Sequence, residues 1–256
     1  MSTLTTIIIG MTPDFLNDLN ENQQQAVVCT EKPSIILAGA GSGKTRVLTY
    51  KVRYLIEEKK VDPSAIMMVT FTNKAASEMK QRVKIPLGFI GTFHSFCAGV
   101  LRRYAPEIGM GRDFVIYDED DKKMLIGSII KTINTQRKIT ASYVIHVISS
   151  AKDNLLDPKQ YRTFANNSFD EILADIYEKY QAKLLENNAV DFDDLLSKTV
   201  TLFRSKPHVL AHYHEQFEYV LIDEYQDTNY VQYLLSKQLA AKNKKITVVG
   251  DFSQSI

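Results

Sequence analysis

The sequence carries almost no imbalance of charge: 31 Lys and Arg stand against 30 Asp and Glu, a net charge of +1 over 256 residues. Bulk electrostatics therefore neither demand nor exclude nucleic acid, and any such footprint must be local. Cysteine is scarce. Cys29 and Cys97 form no metal or redox spacing and are expected as reduced core thiols of a cytosolic protein. No apolar run approaches the length that spans a bilayer, and Ile7-Ile8-Ile9 is too short for a signal-peptide core, so no membrane partner and a cytoplasmic location are expected. Repeats and low-complexity segments are absent too. Residues 1–10 lack any periodic pattern, and residues 1–14 are expected to be a disordered extension, with Met11 the more natural beginning. What remains, at 45% hydrophobic and 24% charged, is the composition of an ordinary globular protein, long enough for one large domain or two smaller ones.

Within that composition one stretch stands out. Ile35-Ile36-Leu37 reads as a strand, Ala38-Gly39-Ala40-Gly41-Ser42-Gly43 as a glycine-rich turn, and the residues after Lys44-Thr45-Arg46 as a helix. Strand, loop and helix in that order are what a phosphate-binding loop requires. The glycines let successive backbone N–H groups turn inward as an anion nest at a helix N-terminus. Lys44 can reach β- and γ-phosphates, and the Thr45 hydroxyl can ligate Mg²⁺. Ala38 replaces the first glycine of the strict pattern; the context supports the assignment. The chain is expected to bind a nucleoside triphosphate.

Around this loop the pattern is α/β. Residues 15–27 read as a short helical stretch, Ile66–Thr70 as a strand buried on both faces, 74–83 as a helix, and Phe89–Gly91 as a brief strand. From about Tyr104 to Gln216 the alternation stops, and helices near 119–133, 142–152, 170–187, 191–204 and 207–216 suggest an all-helical insertion. Asp118 caps the first of these, and Ile172, Leu173, Ile176, Tyr177, Tyr180 and Leu184 form a core stripe. Strands then return at Tyr219–Ile222 and Ile246–Val249, separated by a helix over Tyr230–Ala240. The sequence stops just past a strand end, and since a parallel sheet needs both faces covered, the chain is expected to be cut inside a larger design.

The strand at Tyr219–Ile222 ends in Asp223-Glu224, which supplies the second half of a nucleotide site: Asp223 to hold Mg²⁺, directly or through water, and Glu224 to orient or deprotonate the attacking water. Gln226 and Gln254 each follow a strand end and could contact the γ-phosphate or that water, although either glutamine alone is more often a surface residue. Thr70-Phe71-Thr72-Asn73 and Thr92-Phe93-His94-Ser95-Phe96 sit at carboxyl ends of strands, where open α/β sheets place ligands. Hydroxyls and amides there suit phosphodiester oxygens, and Phe71 suits base stacking. On spacing alone Phe71, Phe93 and Phe96 read more readily as core, and His94 as a structural hydrogen-bonder as readily as a DNA contact.

Taken together these motifs resemble the UvrD/Rep/PcrA-type superfamily 1 helicases. Leu19–Gln23 with Ala26-Val27 resembles the Q motif, Ala38–Thr45 motif I, and Val69–Ala76 motif Ia. Gly91–Phe96 is similar to motif Ib, Asp191–Leu196 to an acidic motif, Leu221–Asn229 to motif II and Val249–Ile256 to motif III, in the family's order. The resemblance implies a RecA-like P-loop NTPase sheet in two parts, residues 15–103 and 217–256, with a helical accessory domain at 104–216. It implies 3′→5′ movement on single-stranded DNA driven by ATP and Mg²⁺, with single-stranded DNA and single-strand/duplex junctions as partners. By the same resemblance Gln23 recognises adenine, Arg46 assists at the nucleotide, Gln254 senses the γ-phosphate, and Phe71, Thr72, Asn73, Thr92 and His94 lie along the DNA. Two departures stand out: the link from Val83 to Gly91 is short, and the sequence ends before the second RecA-like domain, whose arginines would complete the site. Arginine fingers contribute on the order of 10³–10⁵ in turnover, so slow hydrolysis is expected. A non-catalytic ATP- or DNA-binding module is the alternative; an unrelated P-loop kinase leaves Gln23 and the Thr-Phe-His stretch unexplained.

Overall fold

The computed structural model describes residues 13–39, 41–133 and 137–251; most of the expected extension, Ala40 and Gln254 lie outside them. The helical stretch expected over 15–27 is two pieces, a 3-10 turn at Asp14–Asp18 and helix α1, Glu21–Val28. Asn20 makes the break: its extended backbone and side chain form a capping box with Gln23. There follow β1 (Ser34–Leu37), α2 (Lys44–Glu57), β2 (Ile66–Thr70), α3 (Asn73–Val83), β3 (Phe89–Thr92) and α4 (Phe93–Tyr104). Next come β4 (Val115–Tyr117), α5 (Glu119–Lys131), α6 (Ala141–Asp153), α7 (Pro158–Arg162), α8 (Ser168–Glu186), β5 (Ala189–Asp191), α9 (Phe192–Ser205) and α10 (Pro207–Gln216). The described chain closes with β6 (Tyr219–Ile222), α11 (Tyr230–Ala240) and β7 (Ile246–Gly250).

Five strands form one parallel sheet in the order β1-β7-β6-β2-β3. Side chains alternate between its faces. Met68, Leu221 and Val249 meet Leu48, Val52 and Leu55 of α2 and Met79 of α3 on one face. Met67, Val69, Val220, Ile222 and Val248 join a larger core with α4, α9, α10 and α11 on the other. Strands β2 and β6, covered on both faces, run apolar without alternation, as the sequence suggested. Edge strand β1 alternates instead and leaves Ile35 and Leu37 exposed.

The insertion departs from the expectation in two ways. It is not wholly helical: β4 and β5 pair as a two-stranded parallel ribbon. Strands of three residues are too short to show a period. Its core also ends earlier than Gln216. Ile126, Val144, Ile148, Ile176, Tyr180 and Leu184 form a separate cluster, whereas Leu195, Leu196, Val200 and Phe203 of α9 and Val209 and Tyr213 of α10 pack into the sheet's larger core. Asp118 caps α5 and the α8 stripe is core, both as read. Of the cysteines, Cys97 is buried, its thiol pushed up to about 12 by desolvation, but Cys29 is exposed. Among the described residues no helix is long and apolar enough to cross a membrane.

A buried ion cluster ties the two cores together. Lys152 Nζ, at the end of α6, lies 2.6 Å from Asp191 Oδ2 and 3.0 Å from Asp194 Oδ1, and Tyr180 OH donates to Asp191 at 2.9 Å. Asp191 also caps α9 through the Asp194 amide. Burial alone would pull the Lys152 pKa down; Asp194 and Asp191 more than offset it, so the ammonium is held charged, and Lys152 in turn keeps Asp191 below the carboxylate range. One residue further on, Asp153 Oδ1 accepts from Asn229 Nδ2, in the cap of α11, at 2.7 Å. Replacing one partner of such a cluster leaves a buried charge uncompensated. Lys152→Met should therefore lower the unfolding free energy by about 3–5 kcal/mol in urea titrations; a loss under about 1 kcal/mol would show that water reaches the two aspartates.

Candidate functional site

The glycine loop lies between β1 and α2, at the carboxyl edge of the sheet. Ser42 closes it on itself, its hydroxyl donating to Gly39 O at 2.6 Å and its amide to the same oxygen at 3.2 Å. Ala38 N–H donates to Gly250 O at 3.1 Å, which anchors the loop's entry to β7. Gly41 and Gly43 have φ of +73° and +86°, the left-handed region that side chains rarely adopt. A Cβ on Gly43 would in addition stand 3.2 Å from Gln23 Nε2. Gln23 braces the loop: its Nε2 donates to Ser42 O at 3.0 Å and its Oε1 accepts from Asn20 N at 3.1 Å, which leaves one N–H and one lone pair of the amide for a further partner. Thus α1 braces the loop directly. A second tie runs from Lys51, buried in α2, whose Nζ donates to Ala26 O and Cys29 O at the end of α1; desolvation lowers its pKa to about 8. Arg46 donates to Asp18 O at 3.1 Å and lies over the Tyr50 ring.

Across the sheet edge, two residues of the loop meet the two carboxylates that follow β6. Lys44 Nζ is 3.0 Å from Glu224 Oε2, and Thr45 Oγ1 donates to Asp223 Oδ2 at 3.0 Å. Asp223 is 2% exposed, and burial raises its pKa above the ordinary range, against the opposing hydrogen bonds from Thr45 and the Glu224 amide. Glu224 has a left-handed backbone, φ +51°, a conformation that costs a non-glycine residue about 1–2 kcal/mol and is characteristic of functional positions. Gln226, left open in the sequence, is committed to the protein. Its Nε2 donates to Glu224 Oε2 at 2.9 Å and its Oε1 accepts from Asp251 N at 2.9 Å, so it joins the ends of β6 and β7 around Glu224.

These groups border a cavity of about 370 Å³ lined by Gly41, Gly43, Lys44, Thr45, Arg46, Arg82 and Glu224. Arg82 was not singled out in the sequence. Nothing in its spacing marks it, because it reaches the cavity from the last turn of α3 only through the packing of α3 beside α2. Among the described residues no cluster of three or more His, Cys, Asp or Glu side chains is arranged to hold a metal. Thr45 and Asp223 instead offer hard oxygens, the Asp223 carboxylate acting directly or through water, a set that suits Mg²⁺. A wider cavity of about 610 Å³ lies between α6, α8 and α9, beside the Lys152–Asp194 pair; of the sequence motifs only the acidic one reaches it, through Asp194.

The second group of expected residues follows β2 and β3, neighbours in the sheet with Thr70 opposite Thr92. Phe93 and Phe96 are core. Phe71 is half-buried and edge-on to Phe93, with ring centroids 5.6 Å apart. Thr72 and Asn73 are exposed at the start of α3, Thr72 as its cap. Thr92 is buried and caps α4 in a box with Ser95. His94 is half-buried against Phe192 at 5.8 Å; desolvation lowers its pKa, with Asp193 opposing.

The order of these features matches a known group. The sequence profile of the UvrD/REP helicase N-terminal domain matches residues 19–256. The chain belongs to that family. It is 46% identical over 248 residues to the ATP-dependent DNA helicase PcrA of Bacillus subtilis (strain 168), covering 94% of this chain and 34% of the relative. It is 45% identical, with the same coverage, to the PcrA proteins of Staphylococcus aureus (strain Mu50 / ATCC 700699) and of Staphylococcus epidermidis (strain ATCC 35984). The chain thus spans about a third of the length of the curated relatives it matches. In this UvrD/REP-type domain the glycine loop, the β6 carboxylates and the β2 and β3 ends all fall within the matched residues. Gly43→Ala should destabilise the domain by about 1–2 kcal/mol from its backbone angle alone, and the close approach to Gln23 adds to that. Equal thermal midpoints for variant and parent would show that the loop relaxes to a negative φ.

Proposed function

We propose that this chain is the ATP-binding N-terminal portion of an ATP-dependent 3′→5′ DNA helicase, in which ATP hydrolysis by the longer protein is coupled to movement on single-stranded DNA and to duplex unwinding. The observation that carries this reading is the meeting of Lys44 with Glu224 and of Thr45 with Asp223, pairs 180 and 178 positions apart in sequence. The cytoplasmic location expected from the sequence goes with it. Thr45 and Asp223, directly or through water, would hold Mg²⁺ beside the nucleotide, where the ion would supply charge to offset that of the phosphates.

Each residue then has a task. Backbone amides of the loop and the start of α2 bind the phosphates. Lys44 exchanges Glu224 for the β- and γ-phosphates, which frees the Glu224 carboxylate to orient or deprotonate water. Gln226 holds that carboxylate in place. Gln23 serves adenine, and Arg46 assists at the nucleotide, as does Gln254. Arg82 joins them from the cavity wall. Phe71, Thr72, Asn73, Thr92 and His94 line the strand path, with Thr92 acting through the helix it caps. The accessory unit spans about residues 115–191, over single-strand/duplex junctions, and a second RecA-like domain completes the nucleotide site.

Steady-state ATP turnover with and without single-stranded DNA tests the reading, with Glu224→Gln as the blank. Slow, DNA-insensitive turnover with measurable ATP binding is expected; nucleotide binding with no turnover above the blank would favour the non-catalytic module. Lys44→Ala should abolish Mg-ATP binding in a folded protein, and unchanged nucleotide affinity would remove the loop from the site. Phe71→Ala should weaken single-stranded DNA binding by about 1–3 kcal/mol if the ring stacks on a base. An unchanged DNA affinity returns Phe71 to the core.

A further inference from the structure

Thr70 ends β2, and its side chain is 1% exposed. Its Oγ1 is buried and has no hydrogen-bond partner among the described residues. Buried hydroxyls are almost always paired, and an orphan marks the place of a water or an ion. Which face of the sheet it occupies follows from the register. Met68 packs against α2 and α3, so Thr70, two residues on, shares that face. Leu221 lies on the same face, opposite Met68, and Asp223 stands two residues beyond it. The Asp223 amide donates to Val69 O at 3.0 Å and carries the β2–β6 ladder one step past Val69 and Ile222. Thr70 and Asp223 are therefore neighbours on adjacent strands, on the face where Thr45 reaches Asp223. Phe71, one residue on, alternates to the opposite face and packs on Phe93. The sequence suggested that the Thr70 hydroxyl would meet phosphodiester oxygens. The alternation puts it on the side of the carboxylates instead.

Asp223 has capacity for a further partner. Oδ2 accepts from Thr45 and Oδ1 from the Glu224 amide, while each carboxylate oxygen can accept twice. Resting on the nucleotide-site reading above, we infer that Thr70 is a positioning residue of the magnesium site: its hydroxyl hydrogen-bonds the water through which Asp223 holds the ion. Partners of this kind around a metal change its affinity by about 10–100-fold when removed.

Thr70→Val keeps shape and β-propensity and removes only the hydroxyl; Thr70→Ser keeps the hydroxyl. The probe is a fluorescent, non-hydrolysable ATP analogue, titrated with Mg²⁺ and also bound in EDTA. The expected result for Thr70→Val is a rise of about tenfold in the Mg²⁺ concentration at half-effect, with affinity in EDTA unchanged. Thr70→Ser should restore the parent's midpoint. Without ligand, Thr70→Val should melt no lower than the parent, because an unpaired hydroxyl is replaced by a methyl. Should it fail to fold, Thr70→Ala must show the same Mg²⁺ shift. An unchanged Mg²⁺ dependence overturns the inference. So does a loss of single-stranded DNA affinity without a Mg²⁺ shift, which would return the hydroxyl to the strand path. Failure of the parent to bind the analogue at all would overturn the nucleotide reading itself, and this inference with it.

Discussion

Two contacts hold the meaning of this fold: Lys44 to Glu224 and Thr45 to Asp223, each 3.0 Å long. They bring a helix N-terminus, rich in free amides and positive in character, against one buried and one partly exposed carboxylate. Neither side is comfortable alone. Asp223 sits where burial opposes its charge, and Glu224 occupies a backbone region that disfavours it. The surrounding framework imposes the arrangement. Gln226 spans from Glu224 to the Asp251 amide, Gln23 holds the loop through Ser42, and the parallel ladder fixes the strand ends from which every one of these groups projects. A site built this way is preorganised for a ligand that can replace Glu224 as the partner of Lys44.

Much of this was legible because the relevant signals are local. A glycine turn between an apolar run and a helix, and an apolar run ending in two carboxylates, each state their own geometry. The central strands announced themselves through burial on both faces, and α11 occupies the span its periodicity suggested, Tyr230–Ala240. The illegible parts depend on neighbours distant in sequence. Arg82 meets the cavity through the packing of two helices. An amphipathic stripe tells that α9 and α10 bury a face but not which core receives it, so the insertion looked longer than its own cluster. Thr92 carried a hydroxyl that suited a DNA strand, yet its first task is to cap α4. Cys29 was read as core from its residue type, but it follows the last turn of α1 on the solvent side.

The insertion is attached at the same edge of the sheet that carries the candidate chemistry. Lys152 and Asp153, consecutive residues at the end of α6, bind the caps of α9 and α11 respectively. The first of those helices opens with Phe192, which touches His94; the second follows the β6 carboxylates by a short 3-10 turn. One turn of helix in the insertion thus binds the caps of two helices, each of which starts beside one group of candidate residues. Because one of these contacts is a buried ion pair and the other a part-buried hydrogen bond to a helix cap, the insertion is held by specific pairings as well as by apolar packing.

The sheet's strand order has a further bearing on how the domain is made. Among the described strands β1 lies at the edge and pairs only with β7, with Ser34 opposite Thr247 and Leu37 opposite Gly250. Contacts of such long sequence separation close late and slow folding. During synthesis from the N-terminus, the glycine loop therefore leaves the ribosome long before the strand that anchors its entry. Until β7 emerges, Ala38 lacks its partner at Gly250 and β1 has no ladder to join. The nascent chain completes the anchorage of this loop only once β7, Ile246–Gly250, has been made.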